Sequence, residues 1–514
     1  MSERRVIVIG SGAGGLAAAC DLARQGVAVT LLERAHAVGG KMHQREVDGV
    51  RIDSGPTVFT MRWVFDDLLG ACGETLEDAQ LRLHRLDVLA RHAWSAEERL
   101  DLFADTRQSA DAVSRFAGPQ EAARFLAFCD EARRLYHALE HAYIRAERPS
   151  LMSMSRDLGA RGLALLGGLG PFASLWQSLG RHFRDARLRQ LFARYATYCG
   201  GSPWQSPATL ALIAYVEMCG VWAPAGGMQS LAERLARAAR RLGADIRLGT
   251  DVERIELQSG CARAITLATG ERLTADAIVF NGDAQALAKG LMGPDVRAAV
   301  RQDSITPRSL SALTWAIHGE ARGFELSYHN VFFQPDYASE FKDVFEHARL
   351  PAKPTLYLCA QDRSSGNANL AGKAERLFCL INAPARGDNS PLSAEEIEPC
   401  QSAAFTHLQR CGLSIRAAPQ ARLCTTPQDF HQRFPGSGGA LYGMAPHGWM
   451  SSFRRPSALT PIPGLYLAGG SAHPGAGVPM ATLSGRLAAA TLMAHLDSTR
   501  RSTRVRISGG MSTA

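Results

Sequence analysis

Four consecutive β-branched residues, Val6-Ile7-Val8-Ile9, run straight into Gly10-Ser11-Gly12-Ala13-Gly14-Gly15. A continuous apolar run of this length reads as a strand buried on both faces, at the centre of a parallel sheet. The glycines give G-x-G-x-x-G. Gly10 permits a tight turn, Gly12 lets the backbone approach a pyrophosphate, and Gly15 lets the next helix pack on the strand. A helix is predicted from Leu16 to Gln25, stopped by Gly26, and a second strand from Val27 to Leu32. Glu33 ends that strand where an acid accepts ribose hydroxyls and disfavours a 2′-phosphate. Strand, turn, helix, strand and acid together point to dinucleotide binding. The bland alternative is a glycine-rich turn without a ligand.

A second turn of this kind lies near the other end, in "GLYLAGGSAHPGAGVPMATLSGRLAA" (464–489). It reads as a strand over 465–468, a turn over 469–479 and a helix over about 480–495. Gly469, Gly470, Gly475 and Gly477 again allow close backbone approach, and the helix N-terminus again offers free N–H groups. One ligand long enough to use both turns is FAD. Its pyrophosphate would sit on the first turn and its flavin ring on the second, near Met480. Between the turns, Gly39-Gly40 marks another close approach, and Asp48-Gly49 reads as a hairpin turn.

The rest of the chain reads as a discontinuous nucleotide domain with insertions. Residues 112–145 keep a helical period and 151–215 read as broken helices rich in aromatics. Those aromatics suit core packing, an apolar substrate channel or a membrane-facing surface. Residues 224–260 return to an α/β pattern, with a helix from Gln229 to Leu242 and then strands Asp245–Leu248 and Val252–Leu257. A further buried strand is predicted at Ala277–Phe280. These strands are expected in the first sheet. Residues 305–425 read as a second, mostly antiparallel sheet. The fold class is therefore α/β: a Rossmann-like FAD-binding domain (1–75, 222–300, 459–500) and a mixed-sheet substrate domain with a helical, membrane-associated part (76–221, 301–458). Residues 501–514 lack apolar periodicity and read as a disordered tail.

Composition narrows the function classes. The 514 residues carry a net charge of +8, with only five lysines among 57 basic residues. The arginines are scattered beside acids, without aromatic interleaving, which argues against nucleic acid. A basic surface attracts anionic lipid headgroups. Eleven cysteines without a C-x-x-C pair argue against a disulfide framework or a metal site. The N-terminal apolar run is broken by four glycines, unlike a signal peptide. No apolar stretch is long enough to span a bilayer. H-E-x-x-H, P-loop and G-x-S-x-G motifs do not occur.

Taken together, "VIVIGSGAGGLAAACDLARQGVAVTLLE", "GGK", "DSGPTVF", "VWAPAGGMQSLAERL" and "HPGAGVP" resemble carotenoid desaturases of the phytoene-desaturase type, along essentially the whole chain. The "HPGAGVP" loop is the specific part. "GPTVFTMRWVFDDLL" and "GGSAHPGAGVPMATLSGRLAA" most resemble the branch acting on 1-hydroxy carotenoids, the hydroxyneurosporene desaturases; the phytoene branch more often has Gly where Met480 stands. The resemblance implies FAD held by Gly10, Gly12, Gly14, Gly15, Glu33, Gly39, Gly40, Lys41, Gly55, Pro56, Thr57, Val252, Gly469, Gly470 and Met480. It implies insertion of a C-3,4 double bond into an acyclic 1-hydroxy carotenoid, with electrons passing to oxygen or a quinone. It also implies a cytoplasmic protein held peripherally on the inner membrane, with 151–180 (Leu166, Phe172) as the docking segment.

A base is harder to name, because a conjugated polyene delocalises developing positive charge and lessens the need for one. His473 is the candidate, against a plain loop histidine bonded to backbone; Arg156 and Asp157 are weaker. Three alternatives stay open: a phytoene desaturase, an amine or porphyrinogen oxidase on the same fold, and a flavin-free lipid- or prenyl-binding protein. The intact glycine fingerprint with Glu33 argues against the last.

Overall fold

A computed structural model describes residues 4–170, 172–364 and 372–507. Its centre is a five-stranded parallel sheet built from distant parts of the chain: β1 (Arg5–Ile9), β2 (Ala28–Leu32), β3 (Asp245–Arg247), β4 (Ala277–Phe280) and β5 (Leu465–Leu467). The spatial order is β5-β4-β1-β2-β3. Three long helices bear on the site: α1 (Ala13–Ala23), α2 (Met228–Arg241) and α3 (Val478–Ile507).

The register of this sheet explains where the site must be. Ile9 pairs with both Leu32 and Phe280, and Phe280 pairs with Leu467. Four adjacent strands therefore end level. Gly10, Glu33, Asn281 and Ala468 leave the same edge side by side, at the carboxyl ends where open α/β sheets bind ligands. The apolar run of β1 is buried as its sequence requires: Val6 to Ile9 are all 9% exposed or less.

One expected strand differs in placement. Asp245–Arg247 joins the parallel sheet, but Val252–Gln258 does not. It folds back through Ser259-Gly260, both at positive φ, onto Cys261–Leu267 and forms a separate antiparallel sheet with Arg272–Thr274. The tight turn leaves it no route to the parallel sheet's edge. Asp48 and Gly49, both at positive φ, close the expected hairpin between Gln44–Val47 and Val50–Asp53. α1 starts at Ala13, ahead of the expected Leu16, because Gly12 is its N-cap and Gly14 and Gly15 belong to its first turn. α3 begins at Val478 and runs to Ile507, past the start of the expected tail; residues 508–514 lie outside the described residues.

The second sheet is mixed and mostly antiparallel. Its long strands Ser311–Arg322 and Glu375–Ala383 pair over nine residues, and Leu356–Ala360, His329–Phe332, Val88–Ala93 and Arg99–Phe103 extend it. Only the His329–Phe332 and Val88–Ala93 pair is parallel among these. The helices Pro119–Leu139, Leu151–Gly168, Leu175–His182, Ala186–Ala193 and Leu212–Met218 cover one side and share a core with it.

α1 and α3 touch backbone to backbone. A Cβ on Gly485 would lie 1.9 Å from the Gly14 carbonyl oxygen. Arg486 Nε bonds Asp21 Oδ2 at 3.0 Å along the same contact. Gly485→Ala therefore forces the helices apart. It is expected to cost about 3 kcal/mol, the upper end of overpacking penalties, read as a lower urea midpoint of the flavin-loaded protein with flavin release at that midpoint.

Candidate functional site

The level strand ends open onto a cavity of about 860 Å³ that continues between the two sheets. Gly10, Gly12, Gly14, Glu33, Gly39, Gly40 and Lys41 line it. So do Gly55, Pro56, Thr57, Val252, Gly469, Gly470 and Met480. Of the expected cofactor residues only Gly15 stands behind the wall. Its role is packing, since a Cβ there would lie 2.0 Å from the Gly10 carbonyl oxygen.

The glycines divide into two kinds. At Gly14 and Gly469 a Cβ would meet protein: Asn281 Oδ1 at 2.6 Å from either. At Gly470 the space in front is open, and at Gly12 the end of a single side chain stands close. A Cβ on Gly12 would approach only Asn281 Nδ2, at 3.1 Å, and one on Gly470 only Ala476 Cα, at 3.8 Å. A glycine-lined cradle beside a helix N-terminus, at both turns, fits the two ends of a long phosphate-containing ligand.

Polar groups around this cradle are held by short local contacts. Glu33 Oε2 accepts from the Ser11 N–H at 2.8 Å and the Ser11 hydroxyl at 2.7 Å, and Oε1 accepts from Ala35 N–H at 2.9 Å. The carboxylate is thereby fixed beside the first turn, with lone pairs left over for hydroxyl donors. Gly39 N–H donates to Ser11 O at 2.9 Å, which ties the Gly39-Gly40 turn to the fingerprint loop. Asp53 accepts from the Met228 N–H at 2.5 Å and so caps α2; burial raises its carboxyl to about 6. Gln229 Nε2 donates to Val38 O at 2.7 Å, joining α2 to the same loop.

Two buried cations are bound to carbonyls rather than to acids. Lys41 Nζ donates to Leu441 O at 2.5 Å, and burial lowers its ammonium pKa. Arg455 Nη1 donates to Gly470 O at 2.7 Å and Tyr442 O at 3.1 Å, while Nη2 donates to Met444 O at 2.9 Å; burial lowers it too. Asn281, Asp53, Gln229 and Arg455 were not among the expected site residues. Asn281 had a signal, standing directly after a buried strand in "AIVFNGD". Its Nδ2 donates to Gly10 O at 3.0 Å, and its side chain fills the gap between the two turns.

His473 does not line the cavity. Its Nε2–H donates to Ala146 O at 2.8 Å, and burial lowers its imidazole to about 4. Arg156 and Asp157 lie on the surface, paired with each other at 3.1 Å and 80% and 39% exposed, away from the cavity lining.

The family described as flavin containing amine oxidoreductase matches residues 13–493. The chain belongs to that family. It is 56% identical over 514 residues to a hydroxyneurosporene desaturase of Rubrivivax gelatinosus, covering 100% of this chain and 98% of that one. It is 45% identical to a second protein of that name from Cereibacter sphaeroides, covering 97% and 99%. A zeta-carotene-forming phytoene desaturase of Myxococcus xanthus is more distant, at 30% identity over 95% and 94%. In fold the chain is similar to putrescine oxidase with putrescine bound: TM-score 0.58, 18% identity, 96% and 99% of the two chains covered. The protein is thus an FAD-dependent oxidoreductase of the carotenoid-desaturase group, and the cradle fits that cofactor.

Gly12 and Gly470 should separate the ends of the ligand. Gly12, at φ −66°, has a backbone that any residue adopts, and a Cβ there needs only a small shift of the Asn281 amide, 3.1 Å away, so Gly12→Val is expected to fold and to lose flavin. Gly470→Leu is expected to weaken FAD binding at least about tenfold, a change of about 1.4 kcal/mol, with ADP affinity nearly unchanged. Isothermal titration of apoprotein with FAD and with ADP checks both; equal loss of the two ligands in Gly470→Leu would mean that the second turn is only structural.

Proposed function

We propose that this protein introduces a C-3,4 double bond into an acyclic 1-hydroxy carotenoid such as 1-hydroxyneurosporene. The full-length identity to two hydroxyneurosporene desaturases, well above that to the phytoene desaturase, carries this reading. The cavity supports it: its lining extends past the cradle to apolar side chains, among them Leu212, Ile213, Val216, Phe378 and Leu380.

The division of labour follows from the residues. Gly10, Gly12 and the start of α1 would hold the pyrophosphate, Glu33 the ribose hydroxyls, and Val252 the adenine end. Gly55, Pro56, Thr57 and the Gly469–Met480 turn would hold the ring, with Lys41 nearby. When bound, FAD supplies a hydride acceptor. The chain's own residues orient the polyene against it, exclude water and set the local charge. The first N–H groups of α3 and the Arg455 guanidinium favour negative charge at the second turn. The substrate's conjugation spreads positive charge over the polyene, so a strong base is not required. His473, with its Nε2–H given to Ala146 O, is assigned to holding the loop that carries Gly475 and Gly477. Oxygen or a quinone takes the electrons afterwards.

A lipid surface is the proposed source of so insoluble a substrate. No described helix is long and apolar enough to cross a membrane. On the surface, however, Met152 is 84% exposed, Phe172 76% and Trp449 46%. The Phe172 and Trp449 rings meet edge to face at 5.6 Å. In sequence Trp449 stands between cavity-lining Pro446 and Ser451, which links this aromatic pair to the cavity wall. Leu166, by contrast, packs inward against the helical core, and is the poorer docking residue. A cytoplasmic protein docked on the inner face of the membrane through this patch would draw substrate directly from lipid.

Cells making 1-hydroxyneurosporene, with and without this protein, test the activity. A pigment gaining one conjugated double bond, seen as a red-shifted absorption, is expected; unchanged pigment with a flavin-loaded protein present would overturn the assignment. For docking, Phe172→Glu with Trp449→Ser should reduce co-sedimentation with anionic liposomes several-fold while flavin content stays constant. Wild-type protein that never sediments with liposomes would overturn it.

A further inference from the structure

Among the side chains that line the cavity with the apolar ones is a cation that a hydrocarbon cannot satisfy. Arg194 lies deep in the protein, at the end of the helix Ala186–Ala193, and its remaining accessible surface lines the cavity. Among the described residues it makes no ion pair and one side-chain hydrogen bond, from Nη1 to Tyr198 Oη at 3.1 Å. A guanidinium has five N–H donors. Its charge is balanced only at second hand: Tyr198 donates to Glu217 Oε1 at 2.8 Å, and Tyr195 donates to Oε2 at 2.8 Å. The guanidinium carbon lies 5.1 Å from the centre of the Tyr198 ring and 5.2 Å from that of Tyr357. Two aromatic faces hold it in place and leave donors turned to the cavity.

A buried cation with unused donors is costly. It is expected where a ligand supplies the missing acceptor. Leu212, Ile213, Val216, Phe378 and Leu380, which line the same cavity, offer none, and the nearby Glu217 already accepts from Tyr195 and Tyr198.

Position adds the second constraint. Tyr357 Oη lies 2.6 Å from Thr57 Oγ1, in the Gly55–Thr57 stretch assigned to the cofactor. Arg194 is thus one aromatic ring away from the cofactor-facing wall. In a 1-hydroxy carotenoid oxidised at C-3,4, the hydroxylated carbon is two bonds from the nearer reacting carbon. Whatever reads that hydroxyl must stand beside the reaction, at this end of the cavity.

We propose that Arg194, set by Tyr198, Glu217 and Tyr357, is the specificity-determining residue that donates to the tertiary hydroxyl of the substrate. The assignment rests on the 1-hydroxy carotenoid reading above. Held by Arg194, the hydroxyl fixes the register of an otherwise featureless chain, so that C-3 and C-4 stop opposite the second glycine turn. A hydrocarbon of the same length would leave the buried guanidinium unpaired, and a site built to hydrogen-bond a hydroxyl rejects the analogue lacking it strongly.

The test compares 1-hydroxyneurosporene with neurosporene, both delivered in liposomes to the flavin-loaded protein. Wild type is expected to prefer the hydroxylated carotenoid at least about 100-fold in kcat/KM. Arg194→Met should bring that preference within tenfold, mainly by raising KM for the hydroxylated substrate, with flavin content and absorption spectrum unchanged. Arg194→Lys keeps a cationic donor group on one nitrogen and should recover part of the preference. A preference unchanged in Arg194→Met, or an equal loss of both substrates with flavin retained, overturns the role of Arg194 alone. A wild type that shows no preference for the hydroxylated carotenoid overturns the substrate reading itself.

Discussion

The site depends on one contact between backbones. α1 and α3 can aim their N-termini into the same cavity only because Gly14 and Gly485 let them touch and Gly469 lies against Gly14. Any side chain at these points would separate the turns by roughly the width of a methyl group. Asn281 then locks the arrangement, bonding Gly10 O while its oxygen faces Gly14 and Gly469. The aligned ends of β1, β2, β4 and β5 supply the frame, and the glycines decide how closely the frame closes.

Charge around the cavity follows a consistent plan. Lys41, Arg455 and Arg194 are all deep in the protein, and none is neutralised by a direct carboxylate partner among the described residues. Lys41 and Arg455 are held by backbone carbonyls, Arg194 by a tyrosine. Dipoles keep such cations in place without cancelling their field. The result is a cavity with a positive bias, suited to a pyrophosphate at one end and to a cofactor that gains electrons at the other. Glu33 is the exception, fixed by Ser11 and Ala35 where hydroxyl groups rather than phosphates are to be met.

The parts of this fold that were legible in the sequence are those decided locally. The Val6–Ile9 strand, the glycine fingerprint, the Asp48-Gly49 hairpin and the Ala277–Phe280 strand need only near neighbours to declare themselves. The Val252–Gln258 strand was legible as a strand, but its partner was not, because the short turn after it settles pairing and the sheet's edge does not. Gly15 shared a motif with Gly12, yet spacing alone could not tell a glycine that faces a ligand from one that faces Gly10 O. Arg194 and Arg455 were hidden for a different reason: each acts through a cavity wall, and nothing in their flanking residues records that; Asn281 showed only its place after a strand, since its partner Gly10 is 271 residues away. The same holds for Leu166 and Trp449, whose exposure is a property of the packed helices.

The sheet order has a consequence for biosynthesis. β1 leaves the ribosome early and meets β2 soon, but its other neighbour β4 follows some 270 residues later, β5 beyond it some 460 residues later, and the α1–α3 contact closes later still. At elongation rates of about 5–20 residues per second, the first apolar strand and the fingerprint loop wait tens of seconds for the partners that bury them. During that time the nascent chain presents an unpaired parallel edge, a hazard for aggregation. The flavin cradle cannot exist until the second glycine turn has emerged, so cofactor capture is necessarily a late step, and one that seals a sheet whose first strand was made long before.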